Sequence, residues 1–441
     1  MKLSFVFAAS NSRLGRQAGS ALIITTVIAG LIGFSLQSYL TLVSAQNRSV
    51  VRAMSWNSSV AILEAGLEEA LSHINANVDP ATWATQGWTN SGATYSKTRS
   101  VGDGYYSVII SNTTSPTIFS TGYAPLPLVT NAYVSRTAVV TTQKDGMFMK
   151  AMVAKGNINM NGNNIRTDSF DSSTNTYSTG GLYDPAKAKD NGDVATNSGL
   201  ANSLNVGNAN IFGRVGTGPG GSVSIGANGA VGSKAWQTAG NSGIQAGWSS
   251  NDMNVSFPDV TAPFSGGYST PSSGTVSGTS YTYVLNSGNY QLSSLSLSGQ
   301  NKLIVTGNAV LYVTGNVSMA GQSQIIVTTN ASLKLYVGGT SASIGGNGVA
   351  NQSGSSTRFS YWGLPTNTSL SFSGNAAFAG SVYAPNATFS LSGGGNNTLD
   401  FVGSSVTSTV TFNGHFSFHY DELLGRIGPS RGFVVTSWNE L

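Results

Sequence analysis

Residues 20–43 read SALIITTVIAGLIGFSLQSYLTLV, an almost unbroken apolar run that contains no charged residue. A helix of this length can cross a bilayer, which requires roughly 20 residues. The leader before it, residues 1–19, carries Lys2, Arg13 and Arg16 and no acidic residue. Because cationic residues favour the cytoplasmic side, we expect the N-terminus to stay in the cytoplasm and the chain beyond the run to lie outside it.

Helical periodicity continues after the apolar run. Apolar residues recur at spacings of three and four, which places them on one helix face: Val60, Leu63, Leu67, Leu71 and Ile74. We therefore predict a single transmembrane and amphipathic helix over residues 20–77, about 87 Å long and ended by Pro80. A secretory signal peptide would have a shorter apolar region, a small-residue cleavage site and no such continuation. A plain uncleaved membrane anchor is the alternative.

The composition favours an extracytoplasmic β structure. The length of 441 residues suggests two or three domains. Charged residues make up 9% of the chain, against roughly 25% in soluble domains, whereas glycine is abundant at 55 residues. The net charge of +4 is spread thinly, so nucleic acid is not an expected partner. The absence of cysteine excludes disulfides, thiol catalysis and cysteine metal sites.

The segment after the helix, residues 81–145, is expected to form a small antiparallel β unit. Alternating β-branched and aromatic residues over 105–110, 117–121 and 132–140 predict strands. Trp83 and Trp88 are expected to cover the helix, because aromatic side chains mostly serve packing. A long helix on a small antiparallel sheet gives an α+β unit.

A different pattern begins at about Lys155, where short apolar segments recur between Gly-Asn and Ser-Gly turns. Examples are 303–305, 310–313, 325–327 and 333–337. Strands this short, with corner residues that tolerate φ > 0, predict an all-β domain that is a parallel β-helix, or solenoid, over residues 150–441. A β-sandwich is the alternative, and it would show longer strands.

Charged side chains are scarce in this β region. Residues 201–400 contain eight of them: Arg214, Lys234, Asp252, Asp259, Lys302, Lys334, Arg358 and Asp400. Carbohydrate-active enzymes built on β-helices need clustered carboxylates, basic groups or calcium. Asp252 and Asp259 are the nearest acidic pair, but they flank Phe257-Pro258 in an apparent loop. We predict no catalytic residue, no cofactor site, no metal site and no enzyme activity.

An acidic stretch offers possible calcium ligands. Its members are Asp168, Asp171, Asp184, Asp190 and Asp193, with Lys187 and Lys189 among them. The spacing lacks the fixed pattern of an EF-hand, so a solvated loop is expected.

The end of the chain carries two histidines near an acidic residue. His415 and His419 would face one side of a strand, with Asp421 nearby, while the third histidine, His73, belongs to the helix. A metal site needs more ligands than these, so we expect the two histidines to be hydrogen-bonded parts of a structural cap. Residues 421–425 are predicted to form a capping helix and 432–438 a final strand, which together would close the open end of the solenoid.

The N-terminal motifs resemble a known family. The sequence RQAG (residues 16–19) before SALII (residues 20–24) resembles a class III prepilin signal, and SVAILEAGLEEAL (residues 59–71) is similar to the corresponding stretch of PilX-type minor pilins. The resemblance implies that a prepilin peptidase cuts between Gly19 and Ser20. Major pilins carry glutamate at the fifth position after the cut, where this chain has Ile24. A minor, initiating or tip subunit, or an anchor that does not polymerise, is therefore implied.

A second resemblance concerns the C-terminal part. Residues 381–387, 392–395 and 416–422 resemble an uncharacterised β-helical domain that is often attached to PilX-like N-termini. Together the resemblances imply a non-enzymatic, single-pass protein of the bacterial inner membrane, with most of the chain periplasmic or at the cell surface. The implied system is a type IV pilus or a related secretion or adhesion apparatus. Implied partners are the inner membrane, other pilin-like subunits, the prepilin peptidase and surface glycans.

Three alternatives remain from the sequence. The chain could be a membrane-tethered β-helical carbohydrate-active enzyme, a carbohydrate-binding adhesin, or a scaffold that stacks through the ends of its β-helix. An acidic or calcium-bearing groove along one face would distinguish the enzyme.

Overall fold

The computed structural model describes residues 15–76, 80–111, 115–127, 129–162, 164–373, 377–392 and 399–441. The described residues fall into two compact units: one lies within Met1–Gln143 and Phe433–Leu441, the other within Lys144–Gly432. They are named here the N-terminal unit and the parallel unit. Lys2, Arg13 and the predicted helix end at Asn77 lie outside the described residues.

The N-terminal unit begins with helix α1, Gly15–Ala76. The sequence has no proline in this range, so no residue within it lacks the backbone N–H that helix hydrogen bonds require. Large apolar side chains over residues 22–43 are exposed, whereas Leu63, Leu67 and Ile74 are buried. The predicted amphipathic stripe is confirmed. Among the described residues, this helix alone is long and apolar enough, by length and composition, to cross a membrane.

The second half of α1 packs on an antiparallel sheet. Its first strands follow one another in the sheet as in the chain: β1 (Thr89–Asn90), β2 (Thr94–Val101), β3 (Gly104–Ser111), β4 (Thr117–Pro125) and β5 (Tyr133–Gly146). The predicted strands over 105–110, 117–121 and 132–140 are confirmed by β3, β4 and β5. Trp83 and Trp88, which flank the end of the 3₁₀ turn Pro80–Gln86, are buried against α1 as predicted.

The parallel unit contains short strands in two groups along the chain. The first group is β6 (Met152–Ala154), β7 (Ile158–Asn159), β8 (Arg166–Phe170), β9 (Val194–Thr196), β10 (Leu204–Gly207), β11 (Asn210–Phe212), β12 (Val215–Gly216), β13 (Val223–Ile225), β14 (Ala230–Gly232), β15 (Gly243–Ile244) and β16 (Ser249–Ser250). A 3₁₀ turn, Pro185–Lys187, and helix α2, Lys234–Thr238, interrupt it.

The second group follows after residue 271. It is β17 (Ser272–Val276), β18 (Thr279–Leu285), β19 (Gly288–Leu292), β20 (Leu295–Leu297), β21 (Lys302–Val305), β22 (Asn308–Val313), β23 (Val317–Met319), β24 (Gln324–Val327), β25 (Ser332–Val337), β26 (Ser341–Ile344), β27 (Val349–Asn351), β28 (Phe359–Gly363), β29 (Ser369–Phe372), β30 (Phe378–Leu391), β31 (Leu399–Phe412) and β32 (Phe416–Asp421). The predicted capping helix is present as α3, Leu423–Ile427.

Neighbouring strands of this unit are parallel except for β17 and β18, unlike those of the alternative β-sandwich. Within the described residues, row 1 runs in the order β16-β12-β9-β6-β31-β30-β28-β25-β22-β19. Row 2 joins β13, β10, β7, β31, β30, β29, β26, β23 and β20. Row 3 joins β15, β14, β11, β8, β32, β31 and β30. A separate sheet contains β17, β18, β21, β24 and β27, parallel except between β17 and β18.

The order of the strands in space differs from their order in the chain. Strand β6, the first of the unit, pairs with β9 on one side and with β31 on the other. Strand β8 likewise lies between β11 and β32. The beginning and the end of the parallel unit therefore meet in the middle of the rows, and residues about 250 positions apart become neighbours there.

Residues 251–271 connect the two strand groups and are named here the strap. They form no helix or strand except for a bridge between Ser269 and Tyr290. Gln291, which follows the bridged Tyr290, lies in row 1 in register with Ser250 but nine strands away from it. At the usual spacing between strands, the two residues are about 43 Å apart. The strap covers this distance along the outer face of row 1.

The apolar core of the parallel unit lies on the inner side of the rows. Alternate residues of row 1, such as Leu311, Leu335 and Tyr361, are buried in it. The expected positive φ occurs at turn glycines such as Gly299, Gly321 and Gly346, whereas another corner glycine, Gly307, is needed because it fits tightly against a neighbouring turn. At Gly307 the φ angle is not positive; an added Cβ would lie 2.5 Å from the Ser287 backbone nitrogen of the neighbouring turn.

The final strand, β33 (Ser430–Glu440), does not close the parallel unit, and this part of the prediction is wrong. It joins the sheet of the N-terminal unit beside β5. The Leu441 N–H donates to the Thr137 carbonyl at 3.0 Å, and the hydroxyls of Thr141 and Thr436 are 2.9 Å apart. Strand β5 has a free edge whose polar groups need partners, and β33 supplies them. The parallel unit is thus an insertion in the chain between two neighbouring strands.

Candidate functional site

The predicted processing residues lie near the start of α1. Gly19 and Ser20 both belong to the helical backbone of Gly15–Ala76. The large apolar residues that follow, from Leu22 onward, are exposed.

Asp252 and Asp259 do not share a partner. Asp252 is exposed at the start of the strap, beside Ser250 and Met253. Asp259 accepts a hydrogen bond from Asn386 Nδ2 at 3.1 Å. Both carboxylates belong to the strap, where Ser256, Phe257 and Pro258 are among the residues between them.

A buried ionic group lies where β8 pairs with β32, and it is named here the Asp168 cluster: Asp168, His419, Arg166, Tyr183 and Asp400. Asp168 Oδ1 is 2.5 Å from His419 Nδ1, and its Oδ2 accepts from the Tyr183 hydroxyl at 2.8 Å. Arg166 Nη2 lies 2.9 Å from the same oxygen. On the other side of the imidazole, Asp400 Oδ1 is 3.4 Å from Nε2.

The protein backbone fixes this geometry. Register pairs His419 with Asp168 in the neighbouring strand, so both side chains leave the rows at the same level. The Tyr183 ring stacks on the imidazole with centroids 3.6 Å apart. Arg166 in turn lies over the Phe212 ring at 4.6 Å. Every member therefore has a partner other than water.

The electrostatics favour a protonated histidine. Burial by itself lowers the pKa of His419, but the hydrogen bonds and charges of Asp168 and Asp400 outweigh it and raise the pKa above its usual value. Burial and the nearby Asp168 raise the pKa of Tyr183 as well, so its hydroxyl stays protonated. Side-chain exposure is 1% for Asp168 and 4% for His419, against 54% for Asp400. The Asp168–His419 pair is thus shielded from solvent, whereas Asp400 is open to it.

A second ion pair lies beside α3. Arg426 Nη2 donates to both oxygens of Asp171, at 2.7 and 2.8 Å. Burial would raise the pKa of Asp171, but the hydrogen bonds from Arg426 and Ser173 lower it to about 2. Glu422, one residue before α3, is paired with Lys189 at 2.5 Å.

These contacts correct the expectation of a solvated acidic loop. It is wrong for Asp168 and Asp171, which are buried. Their partners, His419 and Arg426, stand about 250 residues away, and a sequence gives no local sign of such pairs. The other aspartates are half-buried. Asp184 accepts from the nearby Ala186 N–H at 3.0 Å, whereas Asp190 accepts from the Lys234 N–H at 3.2 Å and Asp193 pairs with Lys150 at 2.9 Å.

The C-terminal histidines are not brought together. His415 Nδ1 lies 3.5 Å from Asn164 Nδ2, whereas His419 belongs to the Asp168 cluster. Asp421 accepts from the hydroxyls of Ser172 and Ser356, both at 2.7 Å. Within the described part of the chain, no group of three or more His, Cys, Asp or Glu residues is arranged to hold a metal ion.

An aromatic ladder forms the outer face of row 1. Register aligns Tyr312, Tyr336, Trp362 and Tyr383 in successive strands. Tyr336 and Trp362 stack with centroids 5.8 Å apart. The strap packs on this ladder through Phe257 and Val260, and its Pro258 carbonyl accepts from the Tyr383 hydroxyl at 2.8 Å.

Sequence reasoning missed the ladder and the cluster. For the ladder, the only signal was an aromatic residue at the same place in successive short strands, as in LYV at 311–313 and LYV at 335–337. For the cluster, the signal was the isolated charge of Asp400 in a nearly uncharged region.

Comparison with known proteins gives one partial match. A family model described as a domain of unknown function, DUF7305, matches residues 264–427. The matched range covers the end of the strap, the second strand group and α3, and it includes the residues on which the second resemblance rests, of which 393–395 lie outside the described residues. No curated protein and no solved structure was found to match the chain.

Proposed function

We propose that this chain is a non-enzymatic, membrane-anchored, pilin-like envelope protein that displays a parallel β-helix. It serves as a minor or tip subunit of a type IV pilus or a related secretion or adhesion system. One observation carries the proposal: the exposed apolar segment and the segment packed on the antiparallel sheet belong to the same unbroken helix. A cleaved signal peptide has no reason to continue into a folded unit.

The exposed half of α1 supports the membrane anchor. Large apolar residues over 22–43 are exposed among the residues that the structure describes; Phe34, for example, is 77% exposed. Burying such a surface in lipid is favourable, at about 25 cal/mol for each Å². The anchor then belongs to the bacterial inner membrane, with the rest of the chain in the periplasm or at the cell surface.

The spacing of paired residues supports the β-helix. Leu303, Ile325 and Val349 are partners in neighbouring parallel strands and lie 22 and 24 residues apart. Leu333 and Phe359, partners in row 1, lie 26 residues apart. A near-constant step with parallel register is what successive turns of a solenoid produce. Each turn then buries its apolar residues against the next turn.

Ile24 supports a minor role. It stands where the resemblance places the glutamate of major pilins, which neutralises the amino terminus of a neighbouring subunit. An unpaired amino group buried in a filament is costly, so a bulk repeating subunit is disfavoured. A position at the tip removes the need for that pair.

The test is the N-terminus of the mature protein. Expressed in a host that contains a prepilin peptidase, the membrane fraction should yield a chain that starts at Ser20, as read by N-terminal sequencing or intact mass. Gly19→Val should retain the leader, whereas Gly15→Val, a matched change in the same leader, should be processed. A retained leader in the unaltered chain, or cleavage near Ser44, would overturn the proposal.

A further inference from the structure

A groove opens at the β16 end of row 1, where the aromatic ladder stops. The outer positions that follow Tyr383 in register are Val406 and Val153, and then Ala195, Gly216 and Ser250. Large rings give way to small side chains, so the surface recedes. The resulting cavity has a volume of about 400 Å³, which lies in the range of small-molecule sites, roughly 300–1,000 Å³.

The walls of the groove are held in place by backbone hydrogen bonds. The Trp248 N–H donates to the Gln245 carbonyl, and its own carbonyl accepts from Val215 N–H, both at 3.0 Å. On the opposite wall, the Asn197 amide bonds to both backbone groups of Val255, at 2.6 and 3.1 Å. A ligand that enters would therefore order little of the protein, which lowers the entropic cost of binding.

The polar groups of the groove are mixed in charge. Lys150 and Arg214 line it together with Asp252. Lys150 is paired with Asp193 at 2.9 Å, and the Arg214 guanidinium lies 5.2 Å from the centre of the Trp248 ring. Two cations are thus matched by two carboxylates, so the groove has no excess charge with which to select an ion.

These features together select an uncharged polyol. Lys150 and Arg214 are donors and Asp252 is an acceptor, and sugar hydroxyls can satisfy both kinds of group. The indole of Trp248 offers an apolar surface against which the C–H face of a sugar ring can pack. A purely apolar ligand would displace water from Asp252 and from the remaining N–H donors of Lys150 and Arg214, which is costly.

We propose that this groove binds a neutral monosaccharide or disaccharide unit of a glycan. The site goes beyond the display role proposed above, and its binding does not depend on the membrane anchor or on cleavage at Gly19. The two proposals can therefore fail separately: one is read from the mature N-terminus, the other from saccharide binding.

The test uses the full-length protein purified in a detergent without a sugar headgroup. Maltose, cellobiose, lactose and diacetylchitobiose are titrated while tryptophan fluorescence and heat are measured, with digalacturonate as the acidic comparison. We expect saturable binding of at least one neutral disaccharide and none of digalacturonate. Trp248→Ala should weaken binding about tenfold, and Ser250→Trp, which fills the groove from an exposed position, should abolish it.

Trp438→Ala is the matched control, because Trp438 is exposed in the N-terminal unit and should leave the affinity unchanged. Circular dichroism shows whether each variant is folded. If Trp248→Ala does not fold, Ser250→Trp still tests the groove. The proposal is overturned if no neutral saccharide binds, if only digalacturonate binds, or if binding survives in folded Ser250→Trp.

Discussion

At the scale of single residues, the Asp168 cluster is held by several partners at once. One carboxylate with 1% side-chain exposure meets an imidazole, a guanidinium and a phenol. A buried charge is stable only when paired and hydrogen-bonded. Because the partners come from both ends of the parallel unit, the cluster fixes the register in which those ends meet.

The raised pKa of His419 predicts a loss of stability at alkaline pH. The protonated form is favoured in the fold, so its contribution is complete below the unfolded value of about 6.5 and is lost as the pH rises through the folded pKa. Urea unfolding from about pH 6 to about pH 9 should show a falling free energy of unfolding. The slope should shrink in His419→Gln and persist in His415→Gln; equal slopes in all three proteins would refute this.

Removal of the central carboxylate should greatly lower the free energy of unfolding. Asp168→Asn removes the counter-charge of Arg166 and leaves the buried His419 with Asp400 alone, which is 3.4 Å away and largely exposed. Loss of one partner from a buried pair costs about 3–5 kcal/mol, measurable as a shift of the urea midpoint. Asp259→Asn, an exposed change in the strap, should stay within about 0.5 kcal/mol. Similar shifts in the two variants would contradict the role given to Asp168.

At the scale of elements, the contact between α1 and the antiparallel sheet depends on two glycines. Gly66 of the helix faces Tyr106, whose Cδ2 would lie 2.9 Å from an added Cβ, and Ser120. Gly122 of β4 faces the helix backbone, with the Leu63 nitrogen at 2.5 Å from its own hypothetical Cβ. The absence of side chains at these points lets the helix lie directly on the sheet.

Gly66→Ala should therefore separate helix and sheet. Overpacking of this kind costs about 1–3 kcal/mol, so thermal unfolding of the N-terminal unit should begin at a lower temperature. Gly33→Ala is the matched control in the same helix, because no atom lies within 4 Å of its added Cβ. An equal effect of the two changes would show that the close approach is not needed.

Local pattern predicted some elements well and others not at all. The stripe that contains Leu63 and Ile74 and the strands β3, β4, β22 and β25 follow from periodicity within a few residues. The destination of β33 does not, because its neighbour β5 lies some 290 residues earlier. The pairing of Asp168 with His419 was hidden for the same reason.

At the scale of the whole parallel unit, the two strand groups are joined twice. The strap connects them covalently, and the pairings of β31 and β32 with β6, β7 and β8 connect them through hydrogen bonds. To form these contacts, the chain must close long loops and lose conformational entropy before the contacts contribute any stability. We therefore expect slow folding in which this junction forms late.

A cut in the strap should leave the two groups associated. A protease site inserted after the exposed Gly266 should give two fragments that elute together in size-exclusion chromatography. Because β33 also links the fragments, the same cut is made in Asp168→Asn. The fragments of that cut variant should dissociate at a lower urea concentration than those of the cut parent protein. Dissociation at the same urea concentration would mean that the junction does not stabilise the association of the two fragments.

The insertion of the parallel unit between β5 and β33 has a consequence for biosynthesis. The sheet that holds α1 is completed only when residues 433–441 have left the ribosome, after every strand of the parallel unit. A chain that stops before β33 keeps the edge of β5 open, with backbone N–H and C=O groups that lack partners. The sheet of the N-terminal unit therefore cannot be completed before the parallel unit has been synthesised, although its other strands and α1 leave the ribosome first.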